Sequence, residues 1–137
     1  MLTGLTSPDM FLGGDRGALV YGHNILSEMD SVRLSMGVCP QHDVLFERLT
    51  VREHILFFAQ LKGISYDEAD KEAQALTDLF HLEQRLDHLG KELSGGQKRK
   101  LSVAIAVCGK SKFVVLDEPT AGELFEFFIV FFPVNSF

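Results

Sequence analysis

Hydrophobic residues recur at helical spacing between positions 50 and 80, and helix start signals occur there at two places. The segments 50–53 (TVRE) and 65–68 (SYDE) both have the capping-box pattern, in which a hydroxyl residue and a later glutamate satisfy free amide groups of a first helical turn. The first helix is predicted to run through Leu61 and to stop at Gly63. The second carries one stripe of residues that we expect to be buried: Ala69, Ala73, Leu76 and Phe80.

A third helix is predicted to begin at Ser94 and to run through Val107, almost entirely hydrophobic beyond its first turn and therefore buried. Three short runs have the composition of strands: 18–21 (ALVY), 36–39 (MGVC) and 113–116 (FVVL). The last run is continuously hydrophobic, as is typical of buried parallel strands. Strands that alternate with helices predict the α/β fold class.

Composition limits the classes of function. The chain has 137 residues, which corresponds to one domain or a piece of one, and its 46% hydrophobic and 23% charged residues exclude a disordered chain. The net charge of −6 argues against a general nucleic-acid partner. Six of the 13 basic residues nevertheless lie between positions 91 and 112, where they could serve phosphate groups: Lys91, Lys98, Arg99, Lys100, Lys110 and Lys112.

Cysteine usage and hydropathy indicate a chain that stays inside the cell. Cys39 and Cys108 show neither a CxxC pattern nor a nearby histidine pair, so neither a disulfide framework nor a zinc site is predicted. The N-terminus lacks the pattern of a secretory signal. The longest hydrophobic block, 127–134, is far shorter than the ~20 residues of a membrane-spanning helix, so we expect any membrane role to come through a partner.

Two acidic residues come directly after the strand at 113–116. Asp117 and Glu118 would lie at the carboxyl end of that strand, where open α/β sheets bind their ligands. An aspartate there can hold Mg²⁺, and a neighbouring glutamate can deprotonate a water molecule that attacks a γ-phosphate. The alternative is a solvated turn, which is the commoner meaning of such a pair in isolation.

The segment 93–97 (LSGGQ) places two glycines at the start of the third helix. Exposed amide groups at a helix N-terminus bind phosphate oxygens well, and three basic residues come directly after them. The alternative is an ordinary capping box between Ser94 and Gln97 with glycines for a tight turn. A glycine-rich helix start, a buried helix, a hydrophobic strand and an acidic pair occur in this order within residues 93–118, and this order favours phosphate chemistry.

These segments together resemble the ATP-binding cassette (ABC) ATPases. Segment 93–97 resembles their signature motif, 116–120 (LDEPT) their Walker B motif, and 37–46 (GVCPQHDVLF) the Q-loop of the A subfamily, the lipid-exporting transporters. The spacing of 52 positions from Gln41 to Leu93 suits a transporter's helical subdomain and not the long coiled-coil insertion of chromosome-structuring ABC ATPases. The resemblance covers residues 1–122, with the helical subdomain at about 50–109.

The resemblance implies a partial P-loop NTPase-type ABC ATPase domain that binds and hydrolyses ATP with Mg²⁺ to power lipid transport. Glu118 would be the catalytic base, and Asp117 and Gln41 would serve the metal. A second nucleotide-binding domain and transmembrane domains would be the partners, at the cytosolic face of a membrane. The residues implied to bind nucleotide are Gln41, Ser94, Gly95, Gly96 and Gln97, the last four acting on ATP held by the second cassette.

The departures from the family are equally specific. The family's phosphate-binding Walker A loop would precede residue 1, and the only matching pattern, 104–111 (AIAVCGKS), runs from a predicted helix to a strand instead of from a strand to a helix. After Gly122 the phenylalanine-rich tail 123–137 replaces the family's C-terminal part, and we expect it to promote aggregation. We therefore expect the chain alone not to be a competent ATPase. The alternative function is a non-catalytic truncated or splice fragment with no independent activity.

Overall fold

The described part of the chain folds into short strands and longer helices. A computed structural model describes residues 19–20, 23–40 and 44–116. In chain order the elements are β1 (Leu19–Val20), β2 (His23–Asn24), α1 (Met29–Ser35), β3 (Met36–Cys39), α2 (Val51–Leu61), α3 (Tyr66–Leu79), α4 (Gly95–Val107) and β4 (Phe113–Leu116). Short 3₁₀ turns at Glu83–Arg85 and Gly90–Glu92 lie between α3 and α4.

Two strand pairs are present in the described part of the chain. β3 and β4 are parallel, in a register that pairs Met36 with Phe113 and Cys39 with Leu116. β1 and β2 form a short antiparallel pair. The strands predicted at 36–39 and 113–116 are confirmed, and of the strand predicted at 18–21 only Leu19–Val20 is described. Mixed helices and strands with a parallel pair confirm the predicted α/β class.

The predicted helices are confirmed, and one of the two predicted capping boxes at α2 and α3 is complete. At the start of α2, Thr50 Oγ1 accepts from the Glu53 amide at 3.1 Å, and the Glu53 carboxylate accepts from the Thr50 amide at 2.7 Å. At α3, Ser65 Oγ accepts from the Glu68 amide at 3.4 Å but donates to the Glu68 carboxylate at 3.1 Å. The prediction of a full box there was wrong, because the carboxylate binds the serine hydroxyl instead of the backbone.

The core lies where α2, α3 and α4 meet. The stripe predicted on the second helix is buried, with Phe80 at 4% exposure the most exposed of its four members. It packs against buried residues of α2 and α4: Val51, Ile55, Leu56, Ala59, Leu101, Val103, Ala104 and Ala106. Burying each large aliphatic side chain of this kind contributes about 1.5–3 kcal/mol, so the helices hold together through this cluster. None of the helices in the described part of the chain has the length and apolar character of a membrane span.

Helix α1 was not predicted. It has only seven residues, its N-cap Glu28 makes no side-chain cap hydrogen bond, and only Val32 and Ser35 are buried. A helix this short shows neither a start signal nor a hydrophobic stripe in the sequence. The turn before it is set by side chains, since Asn24 Oδ1 accepts from the Leu26 amide at 2.8 Å.

Helix α4 lies unusually close to β3 because residue 37 is glycine. A Cβ atom added to Gly37 would lie 1.7 Å from the carbonyl oxygen of Ala106 and 3.1 Å from Val114. Any other side chain would therefore push α4 off the strand pair. The glycine allows the helix backbone to rest almost directly on the strand.

Gly37→Ala is expected to lower the free energy of unfolding by about 2 kcal/mol or more, because the added methyl group overlaps a backbone atom that cannot move alone. Urea unfolding followed by circular dichroism measures the loss. Gly96→Ala is the matched control, since a Cβ there meets no atom within 4 Å and alanine favours a helix by up to ~1 kcal/mol. Equal stability of Gly37→Ala and the unmodified chain would contradict the close packing.

Candidate functional site

The carboxyl ends of β3 and β4 define one edge of the parallel pair. The last paired residues are Cys39 and Leu116, so the chain leaves both strands at the same edge. Gln41, Asp117 and Glu118 come after these strand ends in the sequence but lie outside the described residues. Their roles stay predictions, and the register is the structural observation that bears on them, because parallel strands deliver the residues after them to one edge.

The N-terminus of α4 carries the second group of predicted site residues. Ser94 is the N-cap: its Oγ accepts from the Gln97 amide at 3.3 Å, and Gln97 Oε1 accepts from the Ser94 amide at 3.0 Å. This is a complete capping box, the feature expected if the segment were only structural. The box uses the amides of Ser94 and Gln97 and leaves those of Gly95 and Gly96 to other partners.

Gly95 and Gly96 are exposed, and a Cβ atom added to either would meet no atom within 4 Å in the described structure. No contact among the described residues therefore requires glycine at these positions, although each glycine costs the helix up to ~1 kcal/mol relative to alanine. The first turn contains no acidic residue, and Lys98, Arg99 and Lys100 come next. The helix start is thus an open, positively charged end suited to an anion.

Arg99 connects α4 to the end of β3. Its Nη1 donates to the carbonyl oxygen of Pro40 at 2.6 Å. Pro40 immediately precedes Gln41 in the sequence, so α4 binds the backbone next to a predicted site residue. The sequence indicated Arg99 only as one of several basic residues, because a contact over 59 positions leaves no local signal.

A second connection joins the chain after Gln41 to the chain before Ser94. Thr50 and Leu89 form an isolated antiparallel bridge. Beside it, the Gly90 amide donates to the Leu49 carbonyl oxygen at 2.9 Å, and the Val51 amide donates to that of His88 at 3.1 Å. The segments that flank the two predicted parts of the site therefore lie side by side.

Comparison with known proteins decides the family. The model of the ABC transporter family matches residues 1–121. The chain belongs to the ABC transporter family. Its relatives include human ATP-binding cassette sub-family A member 2 (47% identity), mouse retinal-specific phospholipid-transporting ATPase ABCA4 (50%) and mouse phospholipid-transporting ATPase ABCA3 (46%), each over 122 residues.

These matches confirm the predicted resemblance to the A subfamily. They cover 89% of this chain but only 5% to 7% of the relatives, so the chain spans a small part of the proteins it matches. Among solved structures, the ATP-binding subunit of an ABC transporter matches with a TM-score of 0.62 and 28% identity, over 73% of this chain and 42% of that one. This likeness confirms a partial ABC ATPase fold.

The phosphate-loop pattern at residues 104–111 is not a phosphate loop. Ala104 lies within α4, and Lys110 and Ser111 lie in the turn that leads into β4. The Lys110 ammonium group lies 3.5 Å from Glu68 on the surface. Because the turn lies at the carboxyl end of a helix, its environment is opposite to that of an ABC phosphate loop, and the rejection of this pattern is confirmed.

The two cysteines are free and buried. Burial raises the pKa of the Cys108 thiol to about 12, so it is an unreactive thiol at neutral pH. Within residues 19–20, 23–40 and 44–116, no group of three or more histidine, cysteine or acidic side chains could hold a metal ion.

His54 organises the segment after Gln41. Its side chain is fully buried, Nδ1 lies 2.7 Å from the Thr50 carbonyl oxygen, and Nε2 accepts from the Phe46 amide at 2.9 Å. This pair of contacts requires the neutral ring with its proton on Nδ1. Position 54 shares a helical face with Val51 and Ile55, a spacing that signals burial but not this pair of contacts.

The stability of the chain is expected to fall as the pH drops below about 6.5. Burial lowers the pKa of folded His54 from its ordinary value of 6.5, so the unfolded chain takes up a proton first. The stabilisation that neutral His54 provides is therefore complete above the pKa of this residue in the unfolded chain. As the pH falls toward the lower pKa of the folded chain, the free energy of unfolding decreases by at most about 1.4 kcal/mol per pH unit. Urea unfolding from about pH 7.5 to about pH 5.5 measures this slope.

His54→Gln removes the titrating group and is expected to flatten that slope. His88→Gln is the control, because among described contacts His88 uses its backbone carbonyl to bind Val51. A slope that persists in His54→Gln would contradict this role for His54.

Proposed function

We propose that the chain supplies half of an ATP-hydrolysing site in an ABC transporter that moves lipids across a membrane. The start of α4 binds the γ-phosphate of ATP held by a second cassette, through Ser94, Gly95, Gly96 and Gln97. The observation that carries the proposal is the open N-terminus of this helix, which Arg99 ties to the end of β3. The lipid substrate is supported by relatives, since mouse ABCA3 and ABCA4 are named phospholipid-transporting ATPases.

In the same proposal the strand ends supply the hydrolytic groups. The register of β3 and β4 supports placing Gln41 and Asp117 near one Mg²⁺, because both come after the same sheet edge and offer the oxygen ligands that Mg²⁺ prefers. A bound Mg²⁺ would neutralise charge on the phosphate groups. Glu118 accepts the proton of the attacking water as general base.

The boundaries of the domain, its helical subdomain and the tail are also part of the proposal. Residues 1–122 form the cassette portion, and the family match over residues 1–121 supports that limit. Residues 50–109 form the helical subdomain, which the packing of α2, α3 and α4 supports. Residues 123–137 are a tail without a role in the site.

An exposed group of aromatic rings supports a transmembrane partner. Phe46 and Phe57 are 46% and 41% exposed, and their ring centroids lie 5.8 Å apart. Phe58 packs edge-on against Phe57 at 5.2 Å, and Val44 beside them in the sequence is 64% exposed. Large exposed apolar groups mark protein interfaces. We place the transmembrane domains here, beside the segment after Gln41, at the cytosolic face of the membrane.

The chain is expected to restore ATP hydrolysis when it is mixed with an ABC cassette that has its own phosphate loop but a disabled signature motif. Ser94→Arg should abolish this rescue, because a large cation replaces the serine at the open helix end. A phosphate-release assay measures the rate across a titration of the chain.

Ser65→Arg is the matched control, since Ser65 caps α3 with the same kind of hydrogen bond. Removing either cap is expected to lower the free energy of unfolding by a similar ~1 kcal/mol. If both variants lose rescue equally, the effect is one of stability. Absence of rescue by the unmodified chain would favour the non-catalytic fragment.

Glu118→Gln is expected to slow hydrolysis by roughly 10²- to 10⁴-fold while ATP binding is retained, because glutamine cannot accept a proton. The measurement uses a chimeric cassette in which residues 1–122 come after the phosphate-loop segment of mouse ABCA4 and precede the remainder of its cassette. Glu47→Gln, an exposed residue before α2, should leave the rate unchanged. Hydrolysis by Glu118→Gln at the rate of the unmodified chimera would refute the assignment.

A further inference from the structure

The turn between α4 and β4 is held by a charged side chain at the end of α2. Lys62 is the C-cap residue of α2, and its ammonium group donates to the Cys108 carbonyl oxygen at 2.8 Å and to Ser111 Oγ. Its aliphatic stem covers Gly109, where an added Cβ would lie 2.5 Å from Lys62 Cδ. The turn therefore fits under Lys62 only because residue 109 has no side chain.

A second charged side chain, from α3, binds the same turn. Both carboxylate oxygens of Glu72 accept from the Gly109 amide, at 3.0 and 3.1 Å. Gly109 has a φ of +72°, a conformation that other residues rarely adopt. The turn is thus bound on its carbonyl side by a cation and on its amide side by an anion, which are hydrogen bonds of the stronger, charge-assisted kind.

This arrangement differs from an ordinary surface ion pair. Lys62 and Glu72 are both half-buried, and burial lowers the pKa of Lys62. By contrast, Lys110 of the same turn is exposed and lies 3.5 Å from exposed Glu68. Exposed pairs of that kind contribute little, whereas replacing the half-buried Lys62 ammonium group removes a charged donor from the Cys108 carbonyl oxygen and from Ser111 Oγ.

The turn leads directly into β4. The Lys112 amide donates to the Ser35 carbonyl oxygen at 2.8 Å, and β4 begins at Phe113. The strand has four residues and precedes Asp117 and Glu118. All four residues of β4 pair with β3, so the turn and the strand end before Asp117 belong to one short hydrogen-bonded segment.

We propose that Lys62 and Glu72 are positioning residues that lock the turn 108–111 to the α2–α3 pair, so that this pair sets the position of β4 and of the carboxylates after it. The inference rests on the proposed function for its catalytic consequence. Neither residue contacts the reacting groups in this proposal. Each acts through the backbone of the turn.

Hydrogen–deuterium exchange of the 137-residue chain tests the lock itself. Lys62→Met is expected to raise amide exchange over residues 109–116 by roughly tenfold or more, the loss expected for a charge-assisted hydrogen bond, with α2 and α3 changed less than about twofold. Glu72→Gln, which keeps an acceptor oxygen, should give a smaller change in the same segment. Alkylation of the Cys108 thiol should quicken in parallel, with Cys39 as the internal reference.

Lys110→Met is the matched control, because it makes the same chemical change in the same turn at an exposed position. It should leave exchange over 109–116 unchanged. Unchanged exchange in Lys62→Met, or an equal rise over α2, α3 and 109–116, would overturn the lock. If Lys62→Met fails to fold, amide exchange over residues 109–116 is compared between Glu72→Gln and Lys110→Met. A rise in Glu72→Gln alone supports the lock, and unchanged exchange in both variants overturns it.

The chimeric cassette tests the catalytic consequence. Lys62→Met is expected to lower kcat at least fivefold with KM for ATP unchanged within about twofold, and Lys62→Arg, which keeps the donors, should restore most of kcat. A normal kcat in Lys62→Met with raised exchange would overturn the positioning role. If the unmodified chimera hydrolyses no ATP, the proposed function fails, while the exchange experiment still decides whether the lock exists.

Discussion

The close contact of α4 with β3 is the constraint on which the other parts of the described structure depend. At Gly37 the helix backbone occupies the space that a side chain would need, so α4 can cover both strands of the parallel pair. From that position one face of α4 completes the core with α2 and α3. The start of α4 also reaches the end of β3 through Arg99. A larger residue at position 37 would disturb the core and the candidate site together.

The two ends of α4 are built in opposite ways, because each has a different kind of contact to make. At the N-terminus Gly95 and Gly96 are exposed, and a Cβ atom added to either would meet no described residue within 4 Å, an arrangement that suits an anion from outside the chain. At the C-terminus Gly109 is covered by the stem of Lys62, and its amide is bound by Glu72. One end therefore suits a ligand, and the other is fastened to the neighbouring helices.

Two segments that are far apart in this ABC transporter family sequence lie next to each other in the structure. The bridge between Thr50 and Leu89 joins the segment after Gln41 to the segment before Ser94. Neutral His54 holds Phe46 and Thr50 together within the first of these segments. Backbone hydrogen bonds therefore hold these two segments side by side in the described structure.

The sequence by itself determined α2, α3, α4, the strands β3 and β4, and the family. These features depend on near neighbours: caps at Thr50 and Ser94, hydrophobic spacing, and short motifs. The tertiary structure alone decided which residues meet across long separations, such as Arg99 with Pro40. It also decided features with weak local signals, including α1 and the incomplete capping box at Ser65. The physical reason is that local hydrogen bonds and periodicity act within a few residues, whereas side-chain pairing across the core depends on how the helices pack.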